Sequence, residues 1–364
     1  MGKREHCVNR LRDEDCVAHV FLPLSALAYA PLSKRKTVNL FLLFNEGLTG
    51  RIPEIEDSSK LVAISLLGCS FTGTLPKSLG NLSSLRLLQL KDNNFEGSIP
   101  PKLMSLPNLE TLGLDGNRLS GSIPPVIINE ERTLLTSLSL GSNRLEGDLP
   151  YGLDDLIMLE FLDADNNMLT GSIRTAIMDL PNLEQLWLQG NSLTGDVSHF
   201  LFESNSLTDV HLGNNDFKGN LHDFLALAPP SLEQLDLSRN GRIDGHISED
   251  IGNFRSMKYF NVSSCSLGGE IPTEIGRMNN LQTLDLSWND FQGDVPEEMA
   301  DMKSLTTFDV SRNRDLGGDL SSSVCKEKFD LIFSLADCSG NVRVECDCCT
   351  HCCNREGVCG PNNN

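Results

Sequence analysis

A glycine recurs twelve times along this chain, at Gly50, Gly73, Gly97, Gly121, Gly147, Gly171, Gly195, Gly219, Gly245, Gly269, Gly293 and Gly318, at intervals of 23 to 26 residues and mostly 24. The wording around it recurs as well. Its clearest copy, Leu281 to Pro296, reads LQTLDLSWNDFQGDVP, with the skeleton L-x-x-L-x-L-x-x-N-x-F-x-G-x-V-P. Leu281, Leu284 and Leu286 alternate as a short strand with one buried face requires. Asn289 follows where the chain must turn, and Phe291 and Val295 return apolar side chains inward on either side of Gly293. One such repeat cannot bury its own apolar edge, whereas copies stacked side by side can. The period therefore dictates a solenoid, in which each repeat touches only its neighbours.

The turn position carries asparagine in nine repeats: Asn93, Asn117, Asn143, Asn167, Asn191, Asn215, Asn240, Asn289 and Asn313. Cys69 and Cys265 stand there in two others, and Glu46 in the first. A side-chain amide at this point can bond backbone groups of adjacent turns, so these asparagines are read as a structural ladder and not as ligand-binding groups. Cys69 and Cys265 are too many repeats apart to be bridged and are expected to be buried thiols.

The step L-T-G-R-I-P of the first repeat, Leu48–Pro53, recurs as F-T-G-T-L-P, F-E-G-S-I-P and L-S-G-S-I-P. On this G-x-[ILV]-P step the chain resembles the plant-type leucine-rich-repeat class, found in receptor-kinase ectodomains, receptor-like proteins and polygalacturonase-inhibiting proteins. The resemblance covers about three quarters of the chain. It implies an α/β solenoid: a right-handed leucine-rich-repeat superhelix of about 12 repeats, with a parallel β-sheet on the concave face. A short second sheet and 3₁₀ segments would lie on the convex side, with a Cys-rich C-terminal cap. Repeats six to nine replace the proline with Arg174, Ser198, His222 and Ser248, and repeat twelve with Ser321, so the second sheet is expected to be less regular there. Repeats nine and twelve insert one residue after the asparagine, in NGRIDG and NRDLGG, which predicts a small bulge on the rim.

Three regions follow. Residues 1–37 do not match the repeat and read as a degenerate cap or a targeting remnant: the apolar run Val17 to Leu32 ends near an A-x-A step like a cleavage site, but the acidic stretch before it does not suit a signal peptide. Residues 38–320 are the repeats. Residues 321–364 hold eight of the twelve cysteines: Cys325, Cys338, Cys346, Cys348, Cys349, Cys352, Cys353 and Cys359. An even number of cysteines suits a disulfide-stapled cap over the last repeat, and the apolar stretch Phe329 to Ala336 is expected to lie over its open end. The run CDCCTHCC with His351 also suits zinc, which makes metal binding through the tail an alternative. The ending A-D-C…V-x-C-x-C-C-T-x-C-C resembles tails of diatom leucine-rich-repeat proteins.

No G-x-S-x-G, H-E-x-x-H, Walker A loop or kinase signature is present, and the seven histidines are scattered, so neither an enzyme nor a cofactor is expected. A net charge of −20 argues against nucleic acid and suits a cationic partner. Two sequons, at Asn81 and Asn261, are glycosylation candidates.

Function is then expected on the concave sheet, where residues between the leucines point outward. From repeat six to repeat eleven these positions and their neighbours carry Phe161, Asp163, Trp187, Asp209, His211, Asp236, Tyr259, Asp285 and Trp288, aromatics set among carboxylates. The wording L-D-L-S is common in the plant-type class, so Asp236 and Asp285 are equally readable as family background. The sequence reads as a non-catalytic, receptor-like recognition protein, extracellular or at the cell surface. Its ligand on this stripe would be a protein, peptide or glycan, with membrane association through a co-receptor or an anchor. A cytoplasmic protein-interaction scaffold using the same face is the alternative.

Overall fold

The computed structural model describes residues 38–43, 49–55, 61–126, 133–200, 206–319, 333–337, 344–345, 349, 351–353 and 359–361. The N-terminal segment 1–37, and with it the expected cap or targeting remnant, lies outside the described residues. The chain divides into two compact units, Met1–Thr170 and Gly171–Asn364, and both are built as leucine-rich-repeat solenoids.

Each complete repeat supplies a short strand to a main parallel sheet, a second strand after the ladder residue, and a tight helical turn. Main-sheet strands such as Gln185–Trp187, Thr283–Asp285 and Thr307–Asp309 bury only their central residue, with half-buried neighbours on both sides. The three leucines of the repeat fill the core: Leu183, Leu186 and Leu188 are fully buried, as are Leu281, Leu284 and Leu286. Each such side chain contributes on the order of 2 kcal/mol by leaving water. Phenylalanine two residues after the ladder position packs behind them, and Phe71 and Phe95 stack with centroids 6.3 Å apart.

The asparagine ladder is present in both units. Asn117 Nδ2 donates to the carbonyls of Leu90, Leu114 and Asp115, and its Oδ1 accepts the Phe95 N–H at 3.0 Å. Asn240 repeats the pattern with Leu212, Leu237 and Ser238, and accepts the Phe217 N–H at 3.0 Å. Asn93, Asn143, Asn167, Asn215, Asn289 and Asn313 likewise each satisfy an N–H of the preceding repeat. The inserted residues fit this accounting. Repeat nine is followed by Cys265, which has no amide oxygen, and there the Ile243 N–H turns back to the Asn240 carbonyl at 2.9 Å. In repeat twelve the Leu316 N–H bonds the Asn313 carbonyl at 3.2 Å in the same way. What the sequence shows as an insertion is a turn that satisfies its own donor, in repeat nine where the next repeat carries cysteine in place of asparagine.

Cys69 and Cys265 are free. Cys69 is buried, while Cys265 is only half-buried. The Cys265 Sγ donates to the Leu237 carbonyl at 3.4 Å, and burial pushes its pKa up to about 12.

The second sheet has six strands in the N-terminal unit and seven in the C-terminal unit. The repeat glycine supplies its left-handed backbone, with φ between 75° and 123° from Gly73 to Gly318. Where proline follows, as at Pro76, Pro100, Pro272 and Pro296, it stands at the N-cap of a 3₁₀ turn with φ already set. Where it is missing, the strands of repeats six and seven shrink to three residues, Met168–Thr170 and Thr194–Asp196. Side chains then cap the turns: Asp196 accepts from the Ser198 N–H, and Asn220 from the His222 N–H. Repeats six and eight use α-helical turns, Thr175–Met178 and Leu221–Leu227, in place of 3₁₀. Those caps also explain two glycines, since a Cβ on Gly219 would meet Asp196 Oδ1 at 2.3 Å and one on Gly245 would meet Asn220 Oδ1 at 2.5 Å.

The tail continues the array. Residues Phe333–Asp337, within the stretch expected to lie over the last repeat, add a parallel strand to the main sheet beside Thr307–Asp309. His351–Cys353 pairs next to it, and Cys359–Pro361 closes antiparallel. Val344–Glu345 joins the second sheet, with Val344 buried.

Candidate functional site

The parallel register stacks outward side chains of the C-terminal unit into two rows. One row runs Gln185, Asp209, Gln234, Tyr259, Thr283, Thr307, and the other Trp187, His211, Asp236, Asn261, Asp285, Asp309. Adjacent strands lie about 4.8 Å apart, so large side chains in these rows must touch. Trp187 meets His211 edge-on with centroids 5.8 Å apart, and His211 stacks on Tyr259 at 6.0 Å. Tyr259 is tied down by Asn261, whose Nδ2 donates to the phenol oxygen at 3.0 Å. Burial raises the Tyr259 pKa.

The aspartates of the second row have a local task. Asp236 Oδ1 accepts the Ser238 N–H at 2.9 Å, and Asp285 and Asp309 each accept both the N–H and the hydroxyl of the serine two residues on. Asn261 does the same for Ser263. These are Asx turns that close the strand end, so one oxygen of each belongs to the fold. Asn261 is a sequon residue whose amide already holds Tyr259 and Ser263, whereas Asn81 is exposed in a 3₁₀ turn with its Oδ1 accepting from Lys102 Nζ at 3.1 Å.

Asp209 differs from them all. It is 4% exposed; its Oδ2 accepts from Thr208 Oγ1 at 2.6 Å and from Gln185 Nε2 at 3.4 Å. Its repeat register already sets it in the other row, without the serine two residues on that Asp236, Asp285 and Asp309 share, but nothing in the sequence shows that it is buried while they are only half-buried.

Trp288 lies in the turn after its strand and away from the aromatic row. It is 56% exposed, and the Arg312 guanidinium sits 4.4 Å from its ring centroid. Its backbone is left-handed with φ 56°. Asn166, Asn214 and Gly190 hold the equivalent position in other repeats, and a bulky side chain there costs roughly 1–2 kcal/mol more than glycine.

Phe161 and Asp163 belong to the N-terminal unit. Phe161 is half-buried beside Ser137 in register. Asp163 is buried in a polar cluster: Ser139 Oγ lies 2.9 Å from Asp115 Oδ1 and 3.0 Å from Asp163 Oδ2, and Lys91 Nζ pairs with Asp115 at 2.8 Å. Gly141 leaves the space the carboxylates occupy, since a Cβ there would meet Asp165 Oδ1 at 2.3 Å and Asp163 Oδ1 at 2.7 Å. Burial raises the Asp163 pKa to about 6, against the bonds from the Asp165 N–H and Ser139, and Asp165 is raised by the same cause.

Of the tail cysteines, Cys349 is buried and disulfide-bonded. The side chains of the other seven and of His351 lie outside the described residues. Among the described residues no group of three or more His, Cys, Asp or Glu is placed to hold a metal ion, and no helix is long and apolar enough to cross a membrane.

Known proteins agree with this architecture. The Leucine Rich Repeat family model matches residues 84–106, 108–129, 256–278 and 280–302. No curated protein matches the chain. Among solved structures, the plant peptide hormone receptor RGFR1 in complex with RGF2 is similar at 29% identity and TM-score 0.67, over 82% of this chain and 50% of that one. The ectodomain of the Arabidopsis receptor kinase HAESA, in complex with an N-terminally extended IDA peptide hormone, is 35% identical with TM-score 0.66, over 78% of this chain and 46% of that one. A plant ice-binding protein is also similar, at 26% identity and TM-score 0.50, over 70% of this chain and 73% of that one. The chain spans about half the length of the two receptor ectodomains it matches.

Proposed function

We propose, from the leucine-rich-repeat fold this chain shares with plant receptor ectodomains, that it is a non-catalytic, receptor-like recognition protein. It takes a peptide or an extended protein segment on the outward face of its main sheet, in the C-terminal unit. The observation that carries this reading is the row Trp187, His211, Tyr259, in which His211 touches both other rings and all three are only half-buried on a sheet face. Aromatic groups in such a setting supply contact area at low conformational cost. The peptide complexes of RGFR1 and HAESA favour a peptide over a glycan as occupant. The disulfide at Cys349 favours an extracellular or cell-surface setting over a cytoplasmic scaffold, because such bonds persist in oxidising compartments.

The fold alone does not carry the assignment, since the ice-binding relative shares it. The deciding experiment is affinity capture from an extracellular protein and peptide fraction with the wild-type chain and a Trp187→Ala, Trp288→Ala double variant. A partner retained by the wild type and lost by the variant supports the main-sheet face. A partner held equally by both moves the site to the second sheet, the turns or the tail.

A further inference from the structure

Two side chains on the main sheet of the C-terminal unit, Asp209 and His211, have an enclosed polar atom without a hydrogen bond among the described residues. Asp209 is 4% exposed, and while its Oδ2 accepts from Thr208 and Gln185, its Oδ1 is fully enclosed and accepts no hydrogen bond among the described residues. His211 Nε2, two residues along on the same face, is likewise enclosed and without a hydrogen bond. Enclosed acceptors without donors are costly and rare in folded proteins. An enclosed carboxylate oxygen without a donor, and a ring nitrogen that accepts when the proton of His211 sits on Nδ1, describe a place for a donor that arrives from outside.

We propose that Asp209 and His211 form a subsite for an ammonium group, supplied by a lysine side chain or the free amino terminus of a peptide ligand. This deepens the main-sheet reading above and rests on it. Charge is the first argument. From repeat seven to repeat twelve, the outward positions of the main-sheet strands hold Asp209, Asp236, Asp285 and Asp309 and no lysine or arginine. Lys258, at the strand edge, is already paired with Glu233. The field over this face is therefore negative and draws in a cation.

Geometry selects the kind of cation. A guanidinium fork needs both oxygens of a carboxylate, and Oδ2 of Asp209 already holds two donors. A single open oxygen beside a ring nitrogen suits a compact point donor. The rings of Trp187, His211 and Tyr259 present faces on which a cation and its methylene stem are stabilised. Gly213 keeps the next position on the His211 strand clear, where a Cβ would meet Asp236 Oδ1 at 2.8 Å. Because Oδ1 is enclosed in the free protein, admitting the group requires a side-chain shift on this face that leaves the Gln185 and Thr208 bonds to Oδ2 in place, an ordinary scale of rearrangement at an interface.

The test uses the full chain carrying Trp288→Phe, which leaves Trp187 as its one indole reporter. Four probes are titrated while its fluorescence is followed: acetyl-Ala-Lys-Ala-amide, the same peptide with norleucine, the same with arginine, and unacetylated Ala-norleucine-Ala-amide. At least one ammonium probe is expected to saturate the signal, and which one does so tells lysine from amino terminus. The acetylated norleucine probe should bind at least about tenfold more weakly, the arginine probe likewise, and Asp209→Asn should lose about tenfold. If Asp209→Asn does not fold, His211→Phe keeps the ring, removes the nitrogen and should lose roughly fivefold. Equal binding of the norleucine or arginine probe, no binding of either ammonium probe, or unchanged affinity in the variant that folds overturns the subsite. A captured partner lost by Trp187→Ala, Trp288→Ala but indifferent to Asp209→Asn would overturn it while leaving the main-sheet reading in place.

Discussion

Asp163 of the N-terminal unit and Asp209 of the C-terminal unit are both aspartates buried on the outward face of a three-residue strand, at 7% and 4% exposure. Their surroundings differ. Asp163 shares Ser139 with Asp115, whose other oxygen is held by Lys91, so the N-terminal cluster brings its own donors and a cation. Asp209 has donors on one oxygen only, and no lysine or arginine stands at the outward positions of the main-sheet strands in its unit. One carboxylate is satisfied within its own face; the other, on our proposal, takes its missing donor from a partner. The same repeat backbone thus carries a self-satisfied cluster and an incompletely satisfied one, and the difference lies in a few side chains on matching strands.

The ladder tests whether that contrast is confined to the surface. Asn117→Ala and Asn240→Ala remove the same set of bonds, one in each unit, and should each cost about 3 kcal/mol in urea melts. A large inequality would mean that the two backbones, and not only their faces, differ. Next in size is recognition itself. Trp187→Ala should weaken binding of a captured partner by about 2 kcal/mol, roughly thirtyfold, while Phe161→Ala should stay within about 0.5 kcal/mol. Equal losses measured by calorimetry would erase the distinction between the units.

The self-satisfied cluster has its own signature in pH. The Asp163 pKa stands at about 6, above the roughly 3.9 expected when unfolded. Its charged form is penalised in the fold, so its contribution to stability is best below about pH 4, falls between about pH 4 and 6, and stays low above that. Asp163→Asn should flatten this slope and gain on the order of 1–2 kcal/mol at pH 7.5, because the amide offers the same shape without the charge. Melts at pH 4.5 and 7.5 that show no difference between wild type and variant would mean Lys91 fully offsets the burial. The smallest effect concerns Cys265. Restoring the consensus with Cys265→Asn should bring no gain beyond about 0.5 kcal/mol, since the Ile243 N–H is already bonded within its own turn. A clear gain would show that this turn opens to use the new oxygen.

The solenoid was legible because its period is a packing requirement written into spacing: leucines at three fixed offsets, an amide at the turn, and a glycine where φ must be positive. The tail was less so. The main-sheet strand Phe333–Asp337 lacks the leucine spacing, and pairing with an existing strand edge, which any extended segment can do, placed it there. The outward stripe was legible as a list of residues and not as a set of roles. D-x-S hides an Asx turn that occupies half of Asp236, Asp285 and Asp309, and the period, which sets Asp209 in the other row, does not say that it is buried. Sequence places a side chain on a face; the depth to which it sinks depends on the neighbours in the strands on either side, here Gln185 and Gln234.

The self-satisfied turns of repeats nine and twelve bear on how such an array can change over generations. Most repeats are bound by contract to their successor, whose amide must accept one of their donors. Repeats nine and twelve are released from that obligation by one extra residue. A crossover just after Leu237–Ile243 or after Val310–Leu316 leaves no orphaned donor whatever residue the next coil carries at its ladder position, whereas one elsewhere must join to a coil with asparagine there. These two turns are therefore the seams along which recombination can lengthen or shorten the lineage without first repairing the join.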